Sequence, residues 1–138
     1  MDQQAELPER VDVLVVGGGQ AGLGTGYRLR EAGIGFVIVD DRARTGDVWR
    51  ARWRSLVLFT PRRFAALPGL PLPRSTGYYP TREQLADYLE QYAAEHALPV
   101  VHGTRVTAIT REGDDFVAES SRGTVRARAV VIATGPFQ

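Results

Sequence analysis

A chain of 138 residues is long enough for one hydrophobic core and too short for two domains. Its formal net charge of +1 gives no electrostatic reason to bind nucleic acid or an anionic membrane, and every basic residue is arginine, so no lysine is available for a Schiff base or a P-loop. Cysteine is absent, which excludes a disulfide framework, a thiolate metal site and a redox-active dithiol; His96 and His102 fit no metal-binding or nucleophile-activating spacing and read as surface or strand-end residues, so no metal is expected.

The first ten residues, MDQQAELPER, are acidic and polar, unlike a signal peptide, and no apolar run approaches the length of a membrane span. They read as a disordered arm ahead of a domain spanning residues 11–138, and a cytoplasmic location is the default expectation. The stretch that organises the chain is VDVLVVGGGQAGLGTGYRLREAGIGFVIVD, residues 11–40. Val11 to Val16 is a strand apolar enough to be buried on both faces of a parallel sheet. Gly17, Gly19 and Gly22 follow in G-x-G-x-x-G register. The three glycines suit a turn too tight for a Cβ, a backbone close enough to touch a pyrophosphate, and a helix pressed against the sheet. The helix N-terminus offers free N–H groups and a positive dipole end to phosphates. Gly22, Gly26, Leu29 and Gly33 then form a narrow stripe of mostly small residues along it. Phe36 to Val39 is a second strand, and Asp40 at its end is placed to accept hydrogen bonds from an adenosine ribose. A bare glycine motif recurs by chance, but strand, glycines, helix, strand and acid in that order point to dinucleotide binding. NAD and FAD share the adenosine diphosphate half that the motif reads. Asp40 disfavours the 2′-phosphate of NADP, an argument weakened by nearby Arg42 and Arg44.

Beyond Asp40, Asp47 is expected to cap a short helix carrying Trp49 and Trp53 at i and i+4, with Arg50 and Arg54 on a neighbouring face. Two readings stay open there: tryptophans that complete a core, or a helix N-terminus and Arg50 that approach phosphates beside a planar ring system. Residues 61–80 hold five of the eight prolines and no hydrophobic period, which predicts an irregular loop of functional or partner-facing character. Thr81 and Gln84 form a capping box, and Leu85, Tyr88, Leu89 and Tyr92 recur with helical period, the tyrosines packing on the sheet. A short strand at Pro99–Val101 precedes extended segments at 104–110, 116–120 and 124–129, read as a β-meander; Val130 to Ile132 then re-enters the central sheet and runs into Ala133-Thr134-Gly135.

These residues resemble the flavoprotein monooxygenases with two dinucleotide-binding domains, the group of flavin-containing and Baeyer-Villiger monooxygenases. The segments that carry the resemblance are VVGGGQAGL at 15–23, Asp40, TGDVWR at 45–50, SLVLFTP at 55–61, YYPTREQLADYLEQYA at 78–93 and VVIATG at 130–135. The resemblance implies an α/β fold: a Rossmann-like parallel sheet with a β-meander insertion, as in glutathione-reductase-type FAD-binding domains. It implies FAD as cofactor, with Gly17, Gly19, Gln20, Ala21 and Gly22 at the pyrophosphate, Asp40 and Asp41 at the adenosine ribose, and Trp49, Arg50 and Thr60 near the phosphates and flavin. Val106 falls by the adenine, and Thr134 with Gly135 closes over the adenosine half. Asp47 stands where the family often has a second glycine. In the family, the Ala-Thr-Gly segment leads into a second domain for NADPH, and no second glycine fingerprint follows a strand between Asp40 and Gln138. The expectation is therefore an FAD-binding oxidoreductase segment, incomplete relative to the family and not a competent monooxygenase on its own. The alternative is a non-catalytic FAD- or NAD-binding module that acts with a partner; an NAD-dependent dehydrogenase ranks last, because no proton donor is evident.

Overall fold

A computed structural model of the chain describes residues 5–136. In chain order the elements are β1 (Arg10–Val16), α1 (Gln20–Glu31), β2 (Phe36–Val39), α2 (Asp47–Arg50), α3 (Arg62–Ala65), α4 (Arg82–Glu95), β3 (Val100–Val101), β4 (Val106–Glu112), β5 (Asp115–Ser120) and β6 (Gly123–Ile132). They form one six-stranded sheet in the order β3-β2-β1-β6-β5-β4. β1 runs parallel to both β2 and β6, and β2 parallel to β3, while β4, β5 and β6 pair antiparallel.

The continuous apolar character of β1 follows from its place between two cores. Val13 and Val15 face a core shared with α1 and α4 (Leu23, Leu85, Tyr88, Leu89, Tyr92), whereas Leu14 faces a second core that the meander covers with Ala118, Val125 and Ala127. The meander is continuous with the central sheet because β6 serves both. Its first half pairs with β5, from Ser120↔Gly123 to Phe116↔Ala127, and its second half with β1, ending at Val16↔Ile132. The two segments expected at 124–129 and 130–132 are thus one strand. The remaining strands shift by a residue or two, and β3 shortens to two residues.

Four other expectations change. The arm of residues 1–10 is part of the fold from Ala5 onward: Ala5 and Leu7 pack on the second core, Glu9 accepts the Arg126 N–H at 2.9 Å, and Arg10 opens β1; residues 1–4 lie outside the described residues. Asp47 does not cap α2. Gly46 does, at φ 90°, and Asp47 is the first helical residue; the helix stops at Arg50, so Trp53 falls outside it and is 64% exposed while Trp49 packs on the first core. Within residues 61–80 one helical turn forms, α3, and Ala65, Leu72 and Thr76 are buried. His96 is the C-terminal cap of α4, its ring set edge-on between Tyr27 and Tyr92 with centroids 4.7 and 4.6 Å away, and its Nε2 is buried without a hydrogen-bond partner.

α4 forms as its sequence predicts, with the reciprocal capping box of Thr81 and Gln84 and a buried stripe of Leu85, Ala86, Tyr88, Leu89 and Tyr92. Its tyrosines do more than fill space. Tyr88 Oη accepts the Leu67 N–H at 2.7 Å and donates to Leu70 O at 2.6 Å, and Tyr92 Oη donates to Pro68 O at 2.6 Å. An irregular segment cannot satisfy its own backbone, and here two phenols on a helix do it instead. Burial pushes the Tyr88 hydroxyl up, only partly offset by the Leu67 N–H, and burial with neighbouring Tyr88 and Tyr27 pushes Tyr92 up to about 12. The outer face of the segment is open, with Phe59 95% exposed and Phe64 and Tyr78 also in solvent.

Candidate functional site

Parallel pairing of β1 with β2 and β6 brings three strand ends together, because Val16 lies opposite both Val39 and Ile132. The chain departs from β1 to opposite sides in sequence, to β2 through α1 and to β6 through the meander, which makes the carboxyl end of β1 the point where a crevice opens. Gly17, Asp40 and Ala133 stand at that edge, tied by Gly17 N–H to Val39 O and Ala133 N–H to Val16 O, both at 2.8 Å.

The glycines of the turn have separate physical reasons. Gly17 has φ 112°, and a Cβ on it would lie 2.1 Å from Ala133 O. A Cβ on Gly22 would lie 1.8 Å from Gly17 O, so α1 is seated directly on the turn. Gly19 is different. Its backbone is extended, with φ −84° and ψ −163°, a conformation open to any residue, and a Cβ there would meet no protein atom within 4 Å. Gly19 caps α1, whose first intrahelical bond is Leu23 N–H to Gly19 O at 2.9 Å, leaving the N–H groups of Gln20, Ala21 and Gly22 ahead of the ladder. The open space at Gly19 therefore lies beside unspent donors at the positive end of a twelve-residue helix.

Asp40 faces the same turn. Its Oδ2 accepts the Gly18 N–H at 2.6 Å and its Oδ1 the Arg42 N–H at 2.8 Å. Each carboxylate oxygen keeps further lone-pair capacity for a ribose hydroxyl. Gly18 is the residue that sequence reasoning passed over: a Cβ on it would stand 2.7 Å from Asp40 Oδ2, so this middle glycine of the Gly17-Gly18-Gly19 run makes room for the acid. The run of three glycines was the available signal. Asp41 turns away and pairs with Arg105 at 2.9 Å and Arg42 at 3.6 Å. The Asp40–Arg42 segment is bonded to the approach to β4, through Thr104 N–H to Asp40 O and Gly103 N–H to Arg42 O, so Val106 stands two residues from that contact while packing on the second core. Thr134 and Gly135 follow β6 at the same edge, Gly135 with φ 82° and open space around it.

The remaining expected residues lie on α2 (Trp49 and Arg50) and on the segment that leads into α3 (Thr60). Thr60 lies on a segment bonded to the start of α4, through Leu58 N–H to Pro80 O and Arg82 N–H to Leu56 O. Arg50 is turned into protein: Nη1 donates to Thr45 O at 2.8 Å and Asp47 Oδ1 at 3.2 Å, and Nη2 to Asp87 Oδ1 at 3.0 Å and Glu90 Oε2 at 2.8 Å. Burial alone would lower its pKa, but the bonds to Asp87, Asp47 and Glu90 outweigh it and raise the pKa. Among the described residues no group of three or more metal-ligating side chains comes together, and no helix is long and apolar enough to cross a membrane.

Comparison with known proteins follows the same geometry. The family model described as pyridine nucleotide-disulphide oxidoreductase matches residues 14–138. An uncharacterized CzcO-like oxidoreductase of Geobacillus kaustophilus is 49% identical over 93% of this chain and 37% of its own length. A flavin-containing monooxygenase from Stenotrophomonas maltophilia superposes with a TM-score of 0.88 at 43% identity, over 93% of this chain and 39% of that one. A steroid monooxygenase solved bound to NADP superposes with a TM-score of 0.85 at 27% identity, over 94% of this chain and 27% of that one. The chain thus spans well under half the length of these relatives and corresponds to their first segment.

Proposed function

The chain belongs to the pyridine nucleotide-disulphide oxidoreductase family, a flavin-using group, and from that premise we propose that it is the FAD-binding part of an NADPH-dependent flavoprotein monooxygenase. The observation that carries the reading is Gly19. Nothing in the protein requires glycine there, whereas a ligand backbone laid across the start of α1 does. In this reading the N–H groups of Gly19 to Gly22 hold the pyrophosphate, and Asp40, oriented by Gly18 and Arg42, accepts from the adenosine ribose. Val106 flanks the adenosine together with the backbone of Asp41, whose carboxylate is held by Arg105 and Arg42; Thr134 and Gly135 close its other side, and Trp49 and Thr60 border the flavin. The carboxylate at the ribose suits FAD and repels a 2′-phosphate, so NADPH is assigned to a separate domain.

When bound, the flavin would supply the redox chemistry, electron transfer from a nicotinamide to oxygen. No side chain of this segment need act as acid, base or nucleophile; its residues bind and orient. The test is the visible absorption spectrum of the purified chain, followed by heat release and chromatography of the ligand. Flavin bands and released FAD are expected. A colourless protein that takes up no FAD on titration overturns the reading.

A further inference from the structure

Arg50 has no terminal N–H left for a phosphate. Its four Nη hydrogens are directed at Thr45 O, Asp47, Asp87 and Glu90, and its side chain is only 18% exposed. Arg44 adds a second cation from the rim, 3.6 Å from Asp47 and 3.7 Å from Glu90. Two guanidiniums facing three carboxylates leave the cluster formally negative, the wrong sign for a pyrophosphate. An anion would also have to displace a carboxylate from a planar fork that already fits it.

The same bonds explain how α2 exists at all. A helix of one turn has no stability of its own. Here it is strapped to α4 at three points. Arg50 reaches Asp87 and Glu90, which lie at i and i+3 on one face of α4. Arg82 of α4 donates back to Arg50 O at 2.8 Å and also to Arg52 O. Gly46, at φ 90°, lies so close to α4 that a Cβ on it would be 2.6 Å from Ala86 O. Trp49 sits on this turn and packs on the first core.

We propose that Arg50 is a positioning residue: it straps α2 to α4, sets Trp49, and affects FAD binding only through that placement, without touching the pyrophosphate. The part concerning FAD rests on the function proposed above. The strap itself does not.

The experiment compares four proteins: the unmodified chain, Arg50→Gln, the double variant Asp87→Asn/Glu90→Gln, and all three changes together. If Arg50 is a strap, removing its acidic partners weakens FAD by about tenfold, Arg50→Gln does the same, and the combination is no worse than either. If Arg50 were a phosphate ligand, removing the acids would free it and leave FAD binding equal or tighter, and that outcome overturns the proposal. Arg50→Lys sharpens the distinction: one ammonium can meet a phosphate as a point charge but cannot replace the four-way fork, so the strap predicts that Lys fails to rescue. Full rescue by Lys also overturns it. A ligand-free readout accompanies these titrations. In a Trp53→Phe background the emission of Trp49 reports the seating of α2, and a red shift is expected in Arg50→Gln and in the acid-side variant alike. Unchanged emission in both overturns the strap. If the unmodified chain binds no FAD, the functional reading falls, and the emission data still decide the role of Arg50.

Discussion

Residues 11–40 and residues 41–80 approach the same core, yet backbone meets backbone in the first and side chain meets backbone in the second. In the first, the close contacts are Gly17 against Ala133 O and Gly22 against Gly17 O, distances that no residue with a Cβ could share. In the second, an irregular chain is held by long polar groups reaching from α4: Tyr88 to Leu67 and Leu70, Tyr92 to Pro68, Arg82 to Arg50. Absence of a side chain at Gly17 and Gly22 fixes the first region, and in the second, apart from Gly46 against Ala86, the presence of particular side chains does. Those two glycines tolerate no growth, and the tyrosines and arginines that hold the second region no truncation.

The largest effect is therefore expected at Gly22. Its replacement by alanine sets a methyl group 1.8 Å from a carbonyl oxygen, and the overpacking should cost about 3 kcal/mol or more, read as loss of cooperative melting or a large fall in Tm. Gly19→Val separates fold from ligand. It adds a larger group where the protein has open space, so unfolding free energy should fall by no more than the roughly 1 kcal/mol of a poorer helix cap while FAD binding is abolished. Equal melting losses for the two variants would remove the distinction between packing glycines and a ligand-facing one.

Asp40 comes next, and it is the one residue of the turn that works by having a side chain. Alanine there strips an acceptor from both the Gly18 and the Arg42 N–H groups, besides removing the ribose partner. Hydrogen bonds to a charged group are worth about 1.5 to 3 kcal/mol each, so FAD affinity should fall by about ten- to a hundredfold, with a measurable drop in Tm alongside. Asp40→Asn keeps one acceptor oxygen and should lose less of both. A pure affinity loss with no change in melting would show that the turn does not depend on the carboxylate.

How much of this was legible in the sequence follows the same division. Strand β1, helix α1, strand β2, the acid at 40 and helix α4 were readable, because a glycine register, a period and a capping box are local signals. The strap of Arg50 to Asp87 and Glu90 was not. The partners are 37 and 40 residues apart, and nothing in TGDVWR says which way a guanidinium will turn. Gly46 rather than Asp47 caps α2 for a related reason: it takes the left-handed conformation and sits where the backbone of α4 at Ala86 leaves no room for a Cβ, a contact that local sequence does not contain. The proline-rich stretch read as a loop, correctly in the main, but its attachment to the tyrosines of α4 depends on a fold that period counting cannot see.

A smaller effect should follow from Tyr88→Phe, which leaves the Leu67 N–H without its acceptor and Leu70 O without its donor; a loss of about 1 to 3 kcal/mol in denaturant melts is expected. FAD affinity should change little, since the phenol lies in the attachment of residues 67–70 and not at the strand ends. Equal loss of FAD in this variant would tie the two regions into one functional unit.

The smallest effect at neutral pH is expected at Tyr92, where phenylalanine removes one neutral hydrogen bond, to Pro68 O, at a cost of about 1 kcal/mol. Alkaline pH reverses the ranking. The Tyr92 hydroxyl is pushed up to about 12 in the fold, while an unfolded tyrosine ionises near its ordinary value of about 10. Between those two values the unfolded chain gives up a proton that the folded chain retains, so the folded state binds more protons and stability falls as pH rises. The contribution is intact below about pH 10 and is lost progressively toward about pH 12, of the order of 2 kcal/mol. The chain has neither lysine nor cysteine to titrate in this window and arginine stays charged, but other tyrosines do, Tyr88 with its own pKa raised among them, so the Tyr92 contribution is read as the difference between the parent and Tyr92→Phe. Tyr92→Phe should therefore be less stable than the parent at pH 8 and draw level with it or pass it by about pH 12, measured as urea midpoints across that range. Parallel curves for the two proteins over the whole range would mean that the buried phenol of Tyr92 ionises no differently in the fold than out of it, leaving Tyr88 as the phenol that holds residues 67–70 to α4.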